Sequence, residues 1–587
     1  MNRLHAYLLG LSCAWLGFYP TLHAQNASTQ PISNTELKNT NTVPAVQEWN
    51  ADDWEIAKPA INLLDITGYF RMRGDFIFDG TLYNGNLPGL AIKSYDASGA
   101  TNSYGANMRA RITPTLNISE HIQLISTIDI FDNLVMGSTP NTLPYNNANR
   151  VNILETGQNT PNGGWNAVKD AIQVRRLYAR VSTQIGEFRF GRMPNHWGLG
   201  IFANNGDCID CDHGDNVDRI ALVSQIHGFY LTPMIDIMSS GPTNQQTPAP
   251  YGQARDITQL DDALQFSLQF AKIDTPEDIR TKLASDKVVV NYGLWGIGRY
   301  QIKESKRYFT NPSQTIPVVS NDPLALSGGN KTNTLELETR DAFAVIFDAW
   351  TMVQYKKFKF EFEGLMLYSK FKMSYNNTST DPAATSTQTL SNLNTTAFQW
   401  GFAIDSRYDI FPELFVRLRT GVASSDSHNG FGIGADAYDR LDQVKTNRTI
   451  NNFQFNKDYR IDTLFFRDML GTVTGAWYLK PEVAYTFSNG IGLKFAPMYA
   501  HALTAASTPS QQGNPLGVEL DAEAFFNSKK IKSLSRLKGF DLSIAYGLFI
   551  PTGPALSRVV NVNNTAVIDN SRHSVAHRLI IRAAVAF

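Results

Sequence analysis

Val575 to Phe587 reads VAHRLIIRAAVAF. Leu579, Ile581, Ala583, Val585 and Phe587 fall on one parity, and Arg578, Ile580, Arg582, Ala584 and Ala586 on the other. Successive side chains of a strand point to opposite faces, so this stretch has one wholly apolar face and one that carries two arginines. A terminal strand of a soluble protein more often ends in a polar, frayed tail. The pattern therefore predicts a strand with one face in an apolar medium, and it needs partners upstream.

From about Leu63 onward the same period of two recurs. Ile66, Gly68, Phe70, Met72, Phe76 and Phe78 share a face, and Thr67, Tyr69, Arg71, Arg73 and Asp75 share the other. Met108, Ala110 and Ile112 oppose Arg109, Arg111 and Thr113; Phe358, Phe360 and Phe362 oppose Lys359, Glu361 and Glu363. About 18 such stretches are found, each near the ~10 residues that a tilted strand needs to cross a bilayer. Tight connections (Ser119-Glu120, Ile185-Gly186, Tyr355-Lys356, Phe411-Pro412) alternate with long ones (135–170, 194–216, 305–339, 425–470). Two short-side connections, 274–286 and 528–537, are longer, and the first predicts a helical turn at Thr275-Pro276-Glu277-Asp278. The expected fold is all-β: a transmembrane antiparallel β-barrel of about 18 strands with short periplasmic turns and long extracellular loops. A strand that ends on Phe587 resembles the closing strand of bacterial outer-membrane barrels, which the barrel assembly machinery reads.

Composition sets the bounds. The 587 residues carry a formal net charge of −1, which gives no reason to expect nucleic acid as a partner. Beyond the N-terminal segment no run of 18 or more apolar residues occurs, so membrane residence has to come from strands. Arg3 and His5 precede an apolar run to about Phe18, and Leu22-His23-Ala24 offers a cleavage point. The expected divisions are a signal peptide over 1–24, a flexible periplasmic segment over 25–60 and the barrel over 61–587. Of the three cysteines, Cys13 leaves with the signal, and Cys208 and Cys211 remain.

The most informative local stretch is Gly186 to Arg219, GEFRFGRMPNHWGLGIFANNGDCIDCDHGDNVDR. Its Gly191-Arg192-Met193-Pro194, Trp197-Gly198-Leu199-Gly200 and Gly206-Asp207-Cys208-Ile209-Asp210-Cys211-Asp212 elements, with Tyr459 to Tyr485, resemble an uncharacterised family of porin-like outer-membrane proteins from myxobacteria and related deltaproteobacteria. The resemblance implies a barrel and supplies no substrate.

In an oxidising compartment Cys208 and Cys211 most simply close a small disulfide ring. A redox-active pair is disfavoured because Asp207, Asp210, Asp212, Asp215 and Asp218 would raise a thiol pKa. Zinc would need His213 and His196 as further ligands. Asp207, Asp210, Asp212 and Asp215 suit a hard cation such as calcium, although the EF-hand spacing is broken and its closing Glu is absent. No other cofactor is expected.

The inward parity is rich in arginine: Arg71, Arg73, Arg109, Arg111, Arg180, Arg189, Arg417, Arg419 and Arg582. Inward acids (Asp129, Asp348, Glu361, Glu363, Asp405) lie mainly on later strands. Structural pairing and a charged pore wall are both open readings of these residues. No catalytic arrangement of serine, histidine and carboxylate stands out, so an enzyme is not expected. The expected function is a porin-like channel for small hydrophilic solutes. Its pore would be lined by the arginines and narrowed by the third external loop with Asp207, Asp210, Asp212, Asp215 and Asp218. A structural or adhesive barrel plugged by its own loops is the alternative, and a barrel-embedded enzyme is a weaker one. Expected partners are outer-membrane lipid and lipopolysaccharide, the assembly machinery, small solutes and a second copy of the chain.

Overall fold

The computed structural model describes residues 62–80, 102–136, 172–239, 259–305, 337–377, 388–427, 449–508, 510, 512–527, 539–562, 565–569 and 575–587, all within the compact unit Thr42–Phe587. The leader over 1–24, the segment over 25–60 and the connection 528–537 lie outside the described residues.

Eighteen strands follow one another around a ring. They are β1 (Leu64–Phe78), β2 (Ser103–Ser119), β3 (Ile122–Val135), β4 (Ile172–Thr183), β5 (Gly186–Pro194), β6 (Asn216–Ile226), β7 (Phe229–Ser239), β8 (Ala263–Lys272) and β9 (Val289–Ser305). Then come β10 (Leu337–Tyr355), β11 (Phe358–Asn377), β12 (Gln388–Asp409), β13 (Leu414–Ala423), β14 (Ala476–Thr486), β15 (Ile491–Ala502), β16 (Pro515–Asn527), β17 (Phe540–Pro551) and β18 (Ala576–Ala586). Each pairs antiparallel with its neighbours in sequence, and β18 pairs with β1, so the sheet closes and leaves no edge. A short strand, Thr449–Ile450, adds parallel to β12. Every strand expected from the period-two pattern is present in order.

The period also sorts the faces as expected. Phe70, Met72, Phe190, Phe266, Phe347, Met366, Tyr368, Leu493 and Ile544 are exposed on the outside. Between them along the same strands lie buried Arg71, Arg73, Arg189, Gln265, Asp348 and Glu363. An apolar surface this extensive is the surface of a barrel set in hydrocarbon, since soluble monomers rarely expose contiguous apolar patches of more than a few hundred Å².

The 273–288 connection contains a helix, α1 (Pro276–Ala284), where a helical turn is expected. Thr275 caps it: its side chain accepts from the Asp278 N–H while Asp278 reaches back to the Thr275 N–H, and Pro276 fits the first turn, where no N–H is required. Ile279 and Leu283 turn toward the interior core.

Candidate functional site

Two long connections enter the lumen. Loop 3 (195–215) joins β5 to β6, and loop 7 (424–475) joins β13 to β14, with 428–448 outside the described residues. Their meeting point with the β1–β4 wall and β18 is a hub of arginines.

A break in the strand pattern increases the arginine density. Between β3 and β4, Thr127 is opposite Arg176 and Ile128 opposite Val174, so Arg175 is an extra, bulged residue. A bulge lets two successive side chains share a face. Arg175 reaches Asp132 at 3.2 Å and the Gly214 carbonyl at 3.3 Å, while Arg176 reaches Asp207 at 2.7 Å and the Asn216 side chain at 2.7 Å. Arg176 shares the inward parity of Arg180, whereas Arg175 does not follow from alternation, and its place beside Arg176 is the only signal of it in the sequence.

The Cys208–Cys211 disulfide forms, with Cα atoms 5.1 Å apart. Closing so short a ring restrains the unfolded chain by only roughly 2 kcal/mol. Its larger effect is to present carbonyls. Arg111 donates to the Gly206 carbonyl at 3.0 Å, Arg71 to Ile209 at 2.7 Å, and Arg109 to Cys211 at 2.7 Å and to Asp212 at 3.1 Å. The loop's carboxylates engage further guanidinium groups. Asp212 pairs with Arg71 at 3.0 Å, Arg73 at 3.0 Å and Arg460 at 2.6 Å; Asp210 pairs with Arg73 at 3.1 Å and Arg467 at 2.7 Å. Burial alone would raise both carboxyls, but Arg467, Arg460 and Arg73 hold Asp210 well below the usual carboxylate range, and Arg460, Arg73 and Arg71 do the same for Asp212.

Loop 7 supplies the other half of the grip. The Asp458 carboxylate accepts from three consecutive N–H groups of loop 3: Asp212 at 3.0 Å, His213 at 3.1 Å and Gly214 at 2.6 Å. On the far side, Glu363 of β11 accepts from the Gly200 N–H at 2.8 Å and the Ile201 N–H at 3.3 Å. This explains the Trp197-Gly198-Leu199-Gly200 spelling. Gly198 has φ +55°, and a Cβ there would stand 2.7 Å from the Glu363 carboxylate.

Loop 7 itself is held by apolar contact. Phe453, Phe455, Ile461, Leu464, Phe465, Phe466 and Met469 are buried with Tyr478, Met498 and Phe549 of the wall. Phe465 stacks on Phe549 with ring centroids 4.2 Å apart. At roughly 1.5–3 kcal/mol per large side chain, this burial outweighs any exposed ion pair at about 0–1 kcal/mol. Loop 3 is thus held largely by charge and loop 7 largely by apolar packing, and Asp458, Arg460 and Arg467 join them.

Several expected site residues take different roles here. None of the nine inward arginines is a bare wall charge. Arg180 and Arg189 share Glu187, Arg417 forks onto Asp405, Arg419 reaches Glu482 at 3.3 Å and two loop 7 carbonyls, and Arg582 pairs with Asp541 at 3.2 Å. Asp218 is not in the loop: it starts β6, faces outward and pairs with Arg192 at 2.7 Å on the outer surface. The calcium reading of Asp207, Asp210, Asp212 and Asp215 gives way as well. The first three face guanidinium groups, and Asp215 accepts from the Asn456 amide at 2.6 Å and the Asn204 N–H at 3.0 Å. Among the described residues no three His, Cys, Asp or Glu side chains are placed to hold a metal ion, so His196 and His213 do not complete a zinc site. Burial pushes His196 down to about 4, which leaves it neutral, and its ring nitrogen takes the Asn205 N–H at 3.4 Å.

The ring's role is open to test. The Cys208→Ser, Cys211→Ser double variant is expected to assemble normally while loop 3 loses its register on Arg71 and Arg109. The readout is proteolysis of the 206–212 segment in the folded, detergent-solubilised protein, which should quicken several-fold. Unchanged cleavage would show that the arginines and Asp458 hold the loop without the disulfide.

No protein-family model and no curated protein matches the chain. Among solved structures it is similar to OccK11 (OpdR) of Pseudomonas aeruginosa, at 9% identity over 89% of this chain and 96% of that one, with TM-score 0.40. It is also similar to the outer membrane protein OpdK of the same organism, at 9% identity over 89% and 99%, with TM-score 0.39. A third likeness is to OmpT, an outer membrane protein of Vibrio cholerae, at 10% identity over 91% and 100%, with TM-score 0.33.

Proposed function

We propose that the chain is a porin-like channel of the bacterial outer membrane that passes small hydrophilic solutes, with loops 3 and 7 together as its constriction. The observation that carries this reading is the contrast between the two faces of one closed wall. Outside it is apolar; inside it carries polar and ionisable groups, with Arg71, Arg73, Arg109, Arg111, Arg175 and Arg176 on β1, β2 and β4 and buried Asp348, Glu363, Glu519 and Asp521 on β10, β11 and β16. A wall that served only as a scaffold could fill its interior with apolar side chains, whereas a charged interior suits water and ions. In this reading the long loops face outward from the cell, α1 lies at the periplasmic mouth, lipopolysaccharide surrounds the belt, and the assembly machinery engages β18 and Phe587. No catalytic role is proposed.

The buried aromatic cluster under loop 7 favours a second reading, a structural barrel with a plugged lumen. Reconstitution of the full chain in planar bilayers separates the two. Discrete conductance steps are expected for the channel. A correctly folded barrel that stays silent over the whole voltage range would leave the structural reading.

A further inference from the structure

Residues 462–469 of loop 7 are gripped by two carboxylates at once. Glu519 of β16 accepts from the N–H groups of Thr463 at 3.0 Å, Leu464 at 2.8 Å and Phe465 at 2.8 Å. Asp462 of the loop accepts from Phe466 at 2.6 Å and Arg467 at 3.0 Å. Five consecutive N–H groups are thereby taken up, and the segment closes into a single π turn over Phe465–Met469. The last of these five residues carries the side chain that matters for loop 3, since Arg467 reaches Asp210 at 2.7 Å.

The corner around Asp462 is unbalanced in charge. From β16 it faces Glu519 and Asp521, from β14 the Lys480 ammonium, and within its own loop Asp468 and the Arg467 backbone N–H. Lys480 is committed to Asp521, Asp468 to Arg578 of β18, and Arg467 to Asp210. Asp462, Glu519 and Asp521 are all buried, so three ionised carboxylates would share one ammonium out of reach of bulk water.

We propose that this corner is a proton-operated latch: a proton on Asp462, set against Glu519 and Asp521, keeps residues 462–469 seated, and its loss frees them and, through Arg467, loosens loop 3. Burial, with Asp521 acting in the same direction and Lys480 against it, pushes Asp462 up to about 6 from an ordinary 3.8. A carboxyl whose value is raised in the seated state stabilises that state at low pH, and the stabilisation is lost as pH rises through about 6. With those two values the ratio of released to seated segments rises about 10-fold between about pH 5 and about pH 7.5.

The effect on flow rests on the channel reading above; the latch itself does not. The test is hydrogen–deuterium exchange of the amides at 463–467 in the full-length reconstituted barrel, corrected for the intrinsic pH dependence of exchange, with β-wall amides as the reference. The wild type is expected to show about 10-fold faster corrected exchange at the higher pH, and Asp462→Asn a flat profile, since its side chain stays uncharged. A flat wild-type profile overturns the latch, and so does an Asp462→Asn profile that follows the wild type. The wild-type titration decides alone if the variant does not assemble. Parallel conductance traces separate the two ideas: titrating exchange in a barrel silent at every pH removes the channel and leaves the latch standing.

Discussion

The Arg71→Gln, Arg73→Gln double variant is expected to assemble a closed barrel and to lose its hold on loop 3. Arg71 is fully buried and joins Asp212, Asn133 and the Ile209 carbonyl. Arg73 reaches Asp75, Asp210 and Asp212. Removing one partner of a buried pair strands the other, at a cost of about 3–5 kcal/mol. Here Asp212 keeps Arg460 and Asp210 keeps Arg467, so only part of that cost falls on them, and because they sit on a loop they have an alternative the wall lacks: the loop can swing into water. Single-channel conductance should rise several-fold while the circular dichroism of the strands stays unchanged. The control is Arg192→Gln, which breaks only the exposed pair with Asp218 on the outer face and should change neither measurement, because such pairs contribute about 0–1 kcal/mol. Equal conductance for double variant and wild type would mean that the contacts left in place, from Arg109, Arg111, Arg460, Arg467, Asp458 and Glu363, suffice to seat the loop.

Gly68→Leu should abolish closure of the barrel. Gly68 and Phe587 exchange both backbone hydrogen bonds, each 2.9 Å, at the seam where the last strand meets the first. A Cβ at position 68 would lie 2.3 Å from the Arg111 carbonyl and 3.0 Å from the Phe587 ring. The first contact is with backbone and cannot be relieved by a rotamer change. Because β18 holds the wall together through β1 on one side and β17 on the other, a shift there exposes two strand edges at once, which hydrocarbon does not tolerate. Heat-modifiable migration on a detergent gel, the signature of a closed barrel, should disappear almost completely. Gly105→Leu on β2 meets nothing within 4 Å and should leave it intact. Normal migration of Gly68→Leu would mean that the seam between β18 and β1 tolerates a side chain at position 68.

The wall was legible from the chain because a lipid-facing barrel imposes a rule on every residue of every strand. Side chains alternate between hydrocarbon and lumen, and one slipped residue would turn a whole face the wrong way. Phe70, Arg71, Met72 and Arg73 each carry that information locally, and so does the stretch from Val575 to Phe587. The capping of α1 was legible for the same reason, since Thr275, Pro276 and Asp278 act within one turn. The lumen was not. That Phe453, Phe455, Phe465 and Phe466 are buried inside, in what reads as a long external loop, depends on Phe549 and Tyr478 arriving from distant strands; the only trace in the sequence was an excess of large apolar residues without a period. The charges show the same division. Residue types and parity said that Arg71, Arg73, Arg109 and Arg111 point inward and that an acidic Cys-x-x-Cys loop is available to meet them. Only the closed ring, the bulge at Arg175 and the joined loops decided the pairing. They place guanidinium groups rather than a cation on the aspartates, turn Asp218 to the outside, and bring Asp458 across more than two hundred residues of chain onto the backbone of loop 3, because a carboxylate's partner is set by distance in space and no local pattern encodes it.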